Sequence, residues 1–370
     1  MSDSFPVSGY LEKNHKGFGF LRNLDNGLKQ SPTDTFVPAG IINRFAIEEG
    51  TFVEGIATQN KGKPAPALKD AEKLNGCKAM NFRLRKNNFQ KGLPITPEKW
   101  LKLEYPGCPD SCRFIDIVAP LGKGQRAIIA APPRTGKTVL IENLITAVNK
   151  QHPDTECMVL LIDERPEEVT HFRRTFPDTL LLASSNDNTQ AEHIQLARQA
   201  FGVMKSMVEQ GKDVVVFMDS LTRLCRAFNS QSRGRRTLSG GIDADALTEP
   251  KKLFGAARQI ENGGSLTIVA TALIETDSQM DEVIFREFKG TGNLEIVLDR
   301  SLSDRNIYPA ININPSGTRN EHLLLGEPVT GQVQSLRRQL ADCKKEEATH
   351  QLLNLISKYK TNEEFLKLQQ

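Results

Sequence analysis

Arg126-Ala-Ile-Ile-Ala-Ala-Pro-Pro-Arg-Thr-Gly-Lys-Thr-Val-Leu-Ile141 decides how the rest of the chain is read. Its opening Arg126–Ala131 is a short apolar run of buried-strand length, and Pro132-Pro133, lacking N–H groups, cannot continue a ladder. Beyond Thr138, Leu140, Ile141, Leu144, Ile145 and Val148 recur at helical spacing. Strand, tight turn and helix together are the setting a phosphate-binding loop requires. Backbone N–H groups at the helix start cradle phosphate, Lys137 reaches the β and γ oxygens, and Thr138 can ligate magnesium. Arg134, Thr135, Gly136, Lys137 and Thr138 are therefore candidate ATP-binding residues, although Ala131 stands where the usual pattern has its first glycine.

Downstream, Val214-Val-Val-Phe-Met-Asp219 is a second apolar run closed by a carboxylate, where a magnesium ligand belongs. Leu160-Leu-Ile-Asp-Glu164 ends the same way. Hydrolysis needs a group that orients and deprotonates water, and Glu164 is the candidate base. Glu167 and Glu168 read as a solvated acidic turn. The transferring phosphoryl group spreads negative charge that a cation must meet, and Arg165, Arg223 and Arg319 are all candidates that the residues alone do not rank.

Upstream, Gly9 to about Leu68 carries short alternating runs, Gly17-Phe-Gly-Phe-Leu21, Thr35-Phe-Val37 and Thr51-Phe-Val53, broken by Gly, Pro, Asn and Asp. This is the pattern of a small β-barrel. Gly17-Phe18-Gly19-Phe20-Leu21-Arg22 has the aromatic and glycine content of barrels whose rings stack on bases beside a cation that holds phosphate. Phe36 is expected on a neighbouring strand of that face, with Arg44 as a basic companion. The plainer alternative is that these phenylalanines fill a core face. In the downstream half, Ser230–Gly241 is a basic, Gly-containing loop near the candidate magnesium strand, suited to gripping a phosphate backbone.

The chain has 370 residues, a net charge of +3 and six cysteines without framework spacing. Such a charge excludes a polycation that coats nucleic acid indiscriminately, so contact must be local. Cys108 and Cys112 have no second Cys or His pair at metal-site spacing. No stretch approaches the roughly 20 apolar residues of a membrane span, and the N-terminus has no basic or apolar leader. A cytoplasmic protein that does not engage membranes is expected. Asp70–Gln90 is rich in Lys, Asn and Arg, and Pro94, Pro97 and Pro106 follow. The expected organisation is a barrel over 1–72, a linker over 73–115 and a nucleotide-binding domain over 116–370. The fold class expected is an α/β P-loop domain with a largely parallel sheet, preceded by a small all-β OB/cold-shock-like barrel, because the apolar runs at 158–162, 214–218, 266–271 and 294–298 alternate with helical stretches.

The order APPRTGKT, LLIDERPEEVT, FMDSLTR, LSGGIDADAL, KKLFGAAR, MDEVIF, EFKGTGN and SGTR resembles the Rho family of hexameric, RNA-dependent ATPases that terminate transcription. GFGFLR and FVPAGIINRF resemble that family's primary RNA site. The resemblance implies an α/β RecA-like P-loop motor domain behind the barrel, and a homohexameric RNA translocase and helicase acting on nascent single-stranded RNA and the RNA polymerase elongation complex. It implies Glu164 as catalytic glutamate, Lys137, Thr138 and Asp219 in the phosphate and magnesium roles, and Arg319 as a finger given to the next subunit. Arg165 and Arg223 match arginines of the same interface, and Tyr308 an aromatic against adenine. Phe18, Phe20, Arg22 and Phe36 fall on primary-site positions, Arg236 on the first pore loop and Lys289 on an interface lysine.

Four departures stand out. The longer members carry a helical segment ahead of the barrel, whereas this chain starts almost at its first strand. Ala65 lies where a tyrosine is expected to enclose a pyrimidine, Gln279 where the second pore loop offers Lys or Arg, and Arg134 where the family has a lysine. Two other readings share parts of the pattern: a rotary or secretion ATPase without the stacking face, and a cold-shock-type RNA-binding protein with a decayed motor.

Overall fold

The computed structural model describes residues 4–59, 62, 64–85, 89–232 and 237–367. The N-terminal strands are β1 (Ser4–Lys13), β2 (Gly19–Arg22), β3 (Phe36–Val37), β4 (Phe52–Thr58), β5 (Ala67–Leu74) and β6 (Cys77–Lys78). They form one sheet in the order β3-β2-β1-β4-β5-β6, and a further β3–β5 pairing closes it into a barrel. Helix α1 (Ala39–Phe45) plugs one end with Ile42 and Phe45. Strand alternation sends Leu21, Val37, Val53, Leu68 and Leu74 inward.

Past the barrel, β7 (Pro94–Ile95) pairs with β12 (Arg258–Ile260) at the margin of a second sheet. That sheet contains β8 (Arg126–Ala131), β9 (Thr155–Glu164), β10 (Leu180–Ser185), β11 (Asp213–Asp219), β13 (Ser265–Leu273), β14 (Leu294–Leu298) and β15 (Ile311–Thr318), ordered β10-β9-β11-β13-β8-β14-β15. All neighbours along this path are parallel except the last pair, β14–β15. Alternate residues of each strand feed two cores. Ile129, Val159, Leu161, Val215 and Phe217 pack under α2 (Asp110–Val118), α3 (Lys137–Gln151) and the C-terminal helices. Ile128, Met158, Leu160, Val214 and Val216 pack under α5 (Gln190–Glu209), α6 (Leu221–Ser230) and α7 (Thr248–Gly255), whereas α4 (Pro166–Thr175) adds its Phe172 to the first core. Burial on both faces is why these strands read as continuous apolar runs.

The stretch expected as a linker carries regular structure in its described residues. Strand β5 runs to Leu74, β6 stays in the barrel sheet, a 3-10 helix covers Ala79–Leu84, and α2 starts at Asp110. Among its described residues Lys73, Lys78 and Asn81 are exposed on ordered elements while Asn75 is buried, which composition alone does not distinguish from a tether. At the C-terminus, Thr361 caps its helix by accepting from Glu364 N at 3.2 Å, but the Glu364 carboxylate accepts from Lys360 N at 2.8 Å, one residue short of the reciprocal capping box.

The barrel sits on α5. Phe52 N donates to Ser206 Oγ at 3.2 Å, Asn75 Nδ2 to Glu209 at 2.8 Å, and Arg85 Nε to Glu209 at 3.2 Å. Backbones meet where Gly50, at φ 73°, lies against Gly202, and a Cβ on Gly202 would stand 2.7 Å from Gly50 Cα. Gly202→Ala gains up to about 1 kcal/mol of helix propensity but forces two main chains apart, at about 1–3 kcal/mol. The clash is the larger effect, so a lowered urea midpoint is expected. An unchanged or raised midpoint would mean that the barrel is not held against α5.

Candidate functional site

The turn after β8 is shaped by residues that cannot stay extended. Arg134 and Gly136 both take left-handed backbone angles, φ 65° and 81°. Thr135 is buried and donates its hydroxyl to Pro132 O at 2.8 Å. A Cβ on Gly136 would also stand 3.3 Å from the Tyr308 ring, so the position needs glycine both for its conformation and for its neighbour. Gly136 is the N-cap of α3 and offers no side chain, leaving the first amides of that helix to an anion.

Two buried carboxylates stand at the ends of the neighbouring strands β9 and β11. Glu164 is 2 % exposed. One of its oxygens accepts from Arg223 Nη2 and Arg165 N, each at 3.2 Å, while Oε2 takes no hydrogen bond from the described residues. Burial, reinforced by the Asp219 charge, raises its pKa above the ordinary glutamate value, against the pull of Arg223 and Lys137. A raised, half-committed carboxyl is chemically suited to take a proton. Asp219 accepts from Thr271 Oγ1 at 2.7 Å and from Lys137 Nζ at 2.5 Å. Among the described residues no three His, Cys, Asp or Glu side chains gather as a metal site. A hydroxyl on Thr138 and a single carboxylate on Asp219 suit a hard cation that takes its other ligands from phosphate and water, which is how magnesium is usually held.

Beside the phosphate turn lies a cavity of about 460 Å³, lined by Val139, Leu298, Tyr308 and Ala310 with Asp110 and Asn143 at its polar side. Tyr308 is 51 % exposed, an apolar face left open next to a phosphate cradle, as a purine would need. Asn143 Nδ2 donates to Ser111 Oγ at 3.0 Å. Sequence reasoning missed Asp110, Ser111 and Asn143, which lie on α2 and α3 without a motif. Val139 carried a signal: an apolar residue on the solvent side of an amphipathic helix, here exposed.

Arg319 is elsewhere. Leu294 of β14 pairs with Ala127 of β8 and with Thr318 of β15, and Arg319 N donates to Asn293 O at 2.9 Å. Arg319 thus sits by the start of β8, whereas the phosphate turn leaves its end. The strand between spans roughly 15 Å at about 3.3 Å per residue. It lines a second cavity of about 240 Å³ with Asn293 and Lys289, whose Nζ pairs with Glu295 at 2.9 Å. The structure therefore brings Arg134, Thr135, Gly136, Lys137, Thr138, Glu164, Asp219, Arg223 and Tyr308 to one edge of the sheet, with Arg165 exposed at the start of α4 beside them. It leaves Arg319 and Lys289 at the other edge.

On the barrel, Phe18, Phe20 and Phe36 form a triangle of rings with centroids 5.5–5.9 Å apart. Phe20 and Phe36 are cross-strand partners, half-buried and outside the barrel core. Their strand neighbours Leu21 and Val37 fill that core instead, so the core-face alternative does not describe these rings. Arg22 does not stand free as a cation for phosphate. It is buried, paired with Glu12 and Asp34, and its guanidinium lies 5.3 Å from the centre of the Phe20 ring, so it supports the platform from within. The exposed Arg44 pairs loosely with Asp70 at 3.6 Å. Ala65 lies next to Pro66, whose carbonyl accepts from Phe36 N at 2.8 Å, and so borders the ring cluster. Arg236 lies outside the described residues. On the described flank of its loop, Gly240, at φ 74°, is packed so closely that a Cβ would be 2.8 Å from Gln279 O. The described flank of the loop and the segment carrying Gln279 therefore meet.

Residues 7–79 match the family described as Rho termination factor, RNA-binding domain, and residues 111–318 match the ATP synthase alpha/beta family, nucleotide-binding domain. The chain is 46 % identical over 365 residues to the transcription termination factor Rho of Aquifex aeolicus (strain VF5), covering 98 % of this chain and 84 % of that protein. It is 43 % identical over 363 residues to the Rho protein of Pseudomonas aeruginosa, covering 96 % and 86 %. Among solved structures, a prototypical ATPase from the type III secretion system of pathogenic bacteria superimposes with a TM-score of 0.61 at 25 % identity, over 78 % of this chain and 79 % of that one. The secretion ATPase EscN from enteropathogenic E. coli gives 0.62 at 23 %, over 75 % and 72 %, a likeness of fold.

Proposed function

The chain belongs to the family of transcription termination factor Rho, and from that premise we propose that it is an ATP-driven translocase and helicase that captures nascent single-stranded RNA on its barrel and displaces the RNA polymerase elongation complex. The barrel, expected over 1–72, is the RNA-capturing unit, and 116–370 is the motor, joined through 73–115. The observation that carries this reading is the split of the hydrolytic residues: Lys137, Glu164 and Asp219 at one edge of the sheet, Arg319 at the other. Such a chain completes its site only with a neighbour placed head to tail, the arrangement that closes into rings. A homohexamer is the assembly we infer.

In this mechanism the amides of α3 bind the phosphates, and Lys137 exchanges Asp219 for a γ-phosphate oxygen. Thr138 and Asp219 would hold magnesium, whose positive charge would offset that of the bound phosphates. Arg223 restrains one Glu164 oxygen, leaving Oε2 to take the proton of the attacking water. Tyr308 flanks the base, and Arg319 of the adjacent subunit meets the charge that develops on the phosphoryl group. Arg165, Arg223 and Lys289 line the same subunit boundary. Phe18, Phe20 and Phe36 stack on bases, with Arg22 bracing them and Arg44 at the rim; Arg236 grips RNA in the central channel.

Replacing Phe18 and Phe20 together by alanine is expected to weaken RNA binding by about 1–3 kcal/mol per lost stack, roughly 5- to 150-fold each. Basal ATP hydrolysis should be unaltered. The reading as a whole is tested by transcript release: added to a stalled elongation complex with an RNA tail, the protein and ATP should free the transcript, and Lys137→Ala should not. RNA affinity unchanged by loss of both rings, or no release, would return the assignment to the secretion-type ATPase reading.

A further inference from the structure

His193 lies in the first turn of α5, completely buried, its position set by the Thr189–Glu192 capping box. Its Nδ1 is 2.8 Å from Ser184 Oγ, and Ser184 Oγ also accepts from Asp163 N at 3.4 Å. A serine hydroxyl that accepts from an amide can donate its own proton to Nδ1, which puts the imidazole proton on Nε2. That nitrogen makes no hydrogen bond among the described residues, yet it stands 3.5 Å from Asp163 Oδ1. Burial lowers the His193 pKa despite the nearby Asp163 charge, in keeping with a neutral ring.

Asp163 is the residue before the catalytic base, and it is held at φ 56°, a left-handed angle that non-glycine residues adopt at a cost. Three groups fix it there: Arg223 Nη1 donates to its carbonyl at 2.6 Å, Ser184 takes its amide, and His193 faces its carboxylate. The direction in which the chain leaves Asp163 sets where the Glu164 carboxyl points. We propose that His193 is a positioning residue for hydrolysis, acting through Asp163 to aim Glu164 at the attacking water. It does so from the helix on which the barrel rests, two residues before Gln195, which hydrogen-bonds Glu12 of β1.

The inference rests on Glu164 as base, and the test separates the two claims. Glutamine at 193 places its amide where Nε2 stands, whereas asparagine reaches only toward Ser184. His193→Asn is expected to lower kcat about 10- to 100-fold, since small misplacements of a reacting group have effects of that order. KM for ATP and RNA affinity should stay within about twofold, and His193→Gln should recover most of the rate. Asp163→Asn, made at a partly exposed side chain, should lose a comparable factor, and His193→Asn should then add no further loss. A folded His193→Asn protein with kcat within about twofold of wild type, or losses that multiply in the double variant, would overturn the proposal. Should His193→Asn not fold, Asp163→Asn and His193→Gln decide: full activity in the first, or a rate in the second as low as that of Asp163→Asn, would overturn it. Glu164→Gln with normal activity would instead remove the premise while leaving the His193 geometry untouched.

Discussion

Glu164→Gln is expected to lower the kcat of RNA-stimulated ATP hydrolysis by about 10²- to 10⁴-fold, with ATP and RNA affinities nearly unchanged. The substitution keeps the shape of the side chain and the oxygen that accepts from Arg223, and removes only the ability of Oε2 to hold a proton. Asp219 and Lys137 keep their mutual contact, so the phosphate cradle is undisturbed. A pure loss of kcat marks a group used in the transition state and not in ground-state binding. Steady-state kinetics together with nucleotide binding would show it. A rate within about threefold of wild type would assign the base to another residue.

The second large effect concerns Arg319. Its replacement by alanine is expected to reduce kcat by about 10³- to 10⁵-fold, the range for a cation that meets the transferring phosphoryl group. The decisive form of the experiment is mixing. Arg319 and the phosphate turn lie at opposite ends of β8, so the proposed arginine finger would have to come from another chain. Lys137→Ala and Arg319→Ala subunits are each expected to be inactive alone. Mixed one to one before assembly, roughly a quarter of the head-to-tail boundaries would join an intact cradle to an intact arginine. Recovery of hydrolysis is therefore expected. Mixed rings as inactive as their parents would show that no site is shared between subunits.

How much of this was legible beforehand differs from residue to residue. Strands Arg126–Ala131 and Leu294–Leu298 coincide with their apolar runs, since both faces of the sheet are covered. Strands β9 and β11 extend past their runs to Thr155 and Asp213, where backbone pairing continues under polar side chains. The phosphate turn and the carboxylates at strand ends were readable because local motif and local geometry coincide there. Arg319 was readable as a cation and not as a distant one, because its place depends on β15 turning back antiparallel along β14. Arg22 read as a free cation beside stacking rings. Its burial depends on Glu12 and Asp34 closing over it, which no spacing reveals. The seat of the barrel was invisible for a related reason: Gly202 in mid-helix and Glu209 near the helix end acquire meaning only when Gly50 and Asn75, more than a hundred residues earlier, arrive against them. His193 belongs to the same class, a buried histidine with no motif around it.

The central claim is that one chain couples RNA capture on the barrel to ATP hydrolysis in the motor. It is tested most directly by titrating the ATPase rate of the assembled protein with homopolymeric single-stranded RNA, with single-stranded DNA of the same base as reference. Saturable stimulation by RNA, lost on replacing Phe18 and Phe20, is the expected result; a rate that does not respond to RNA would contradict it.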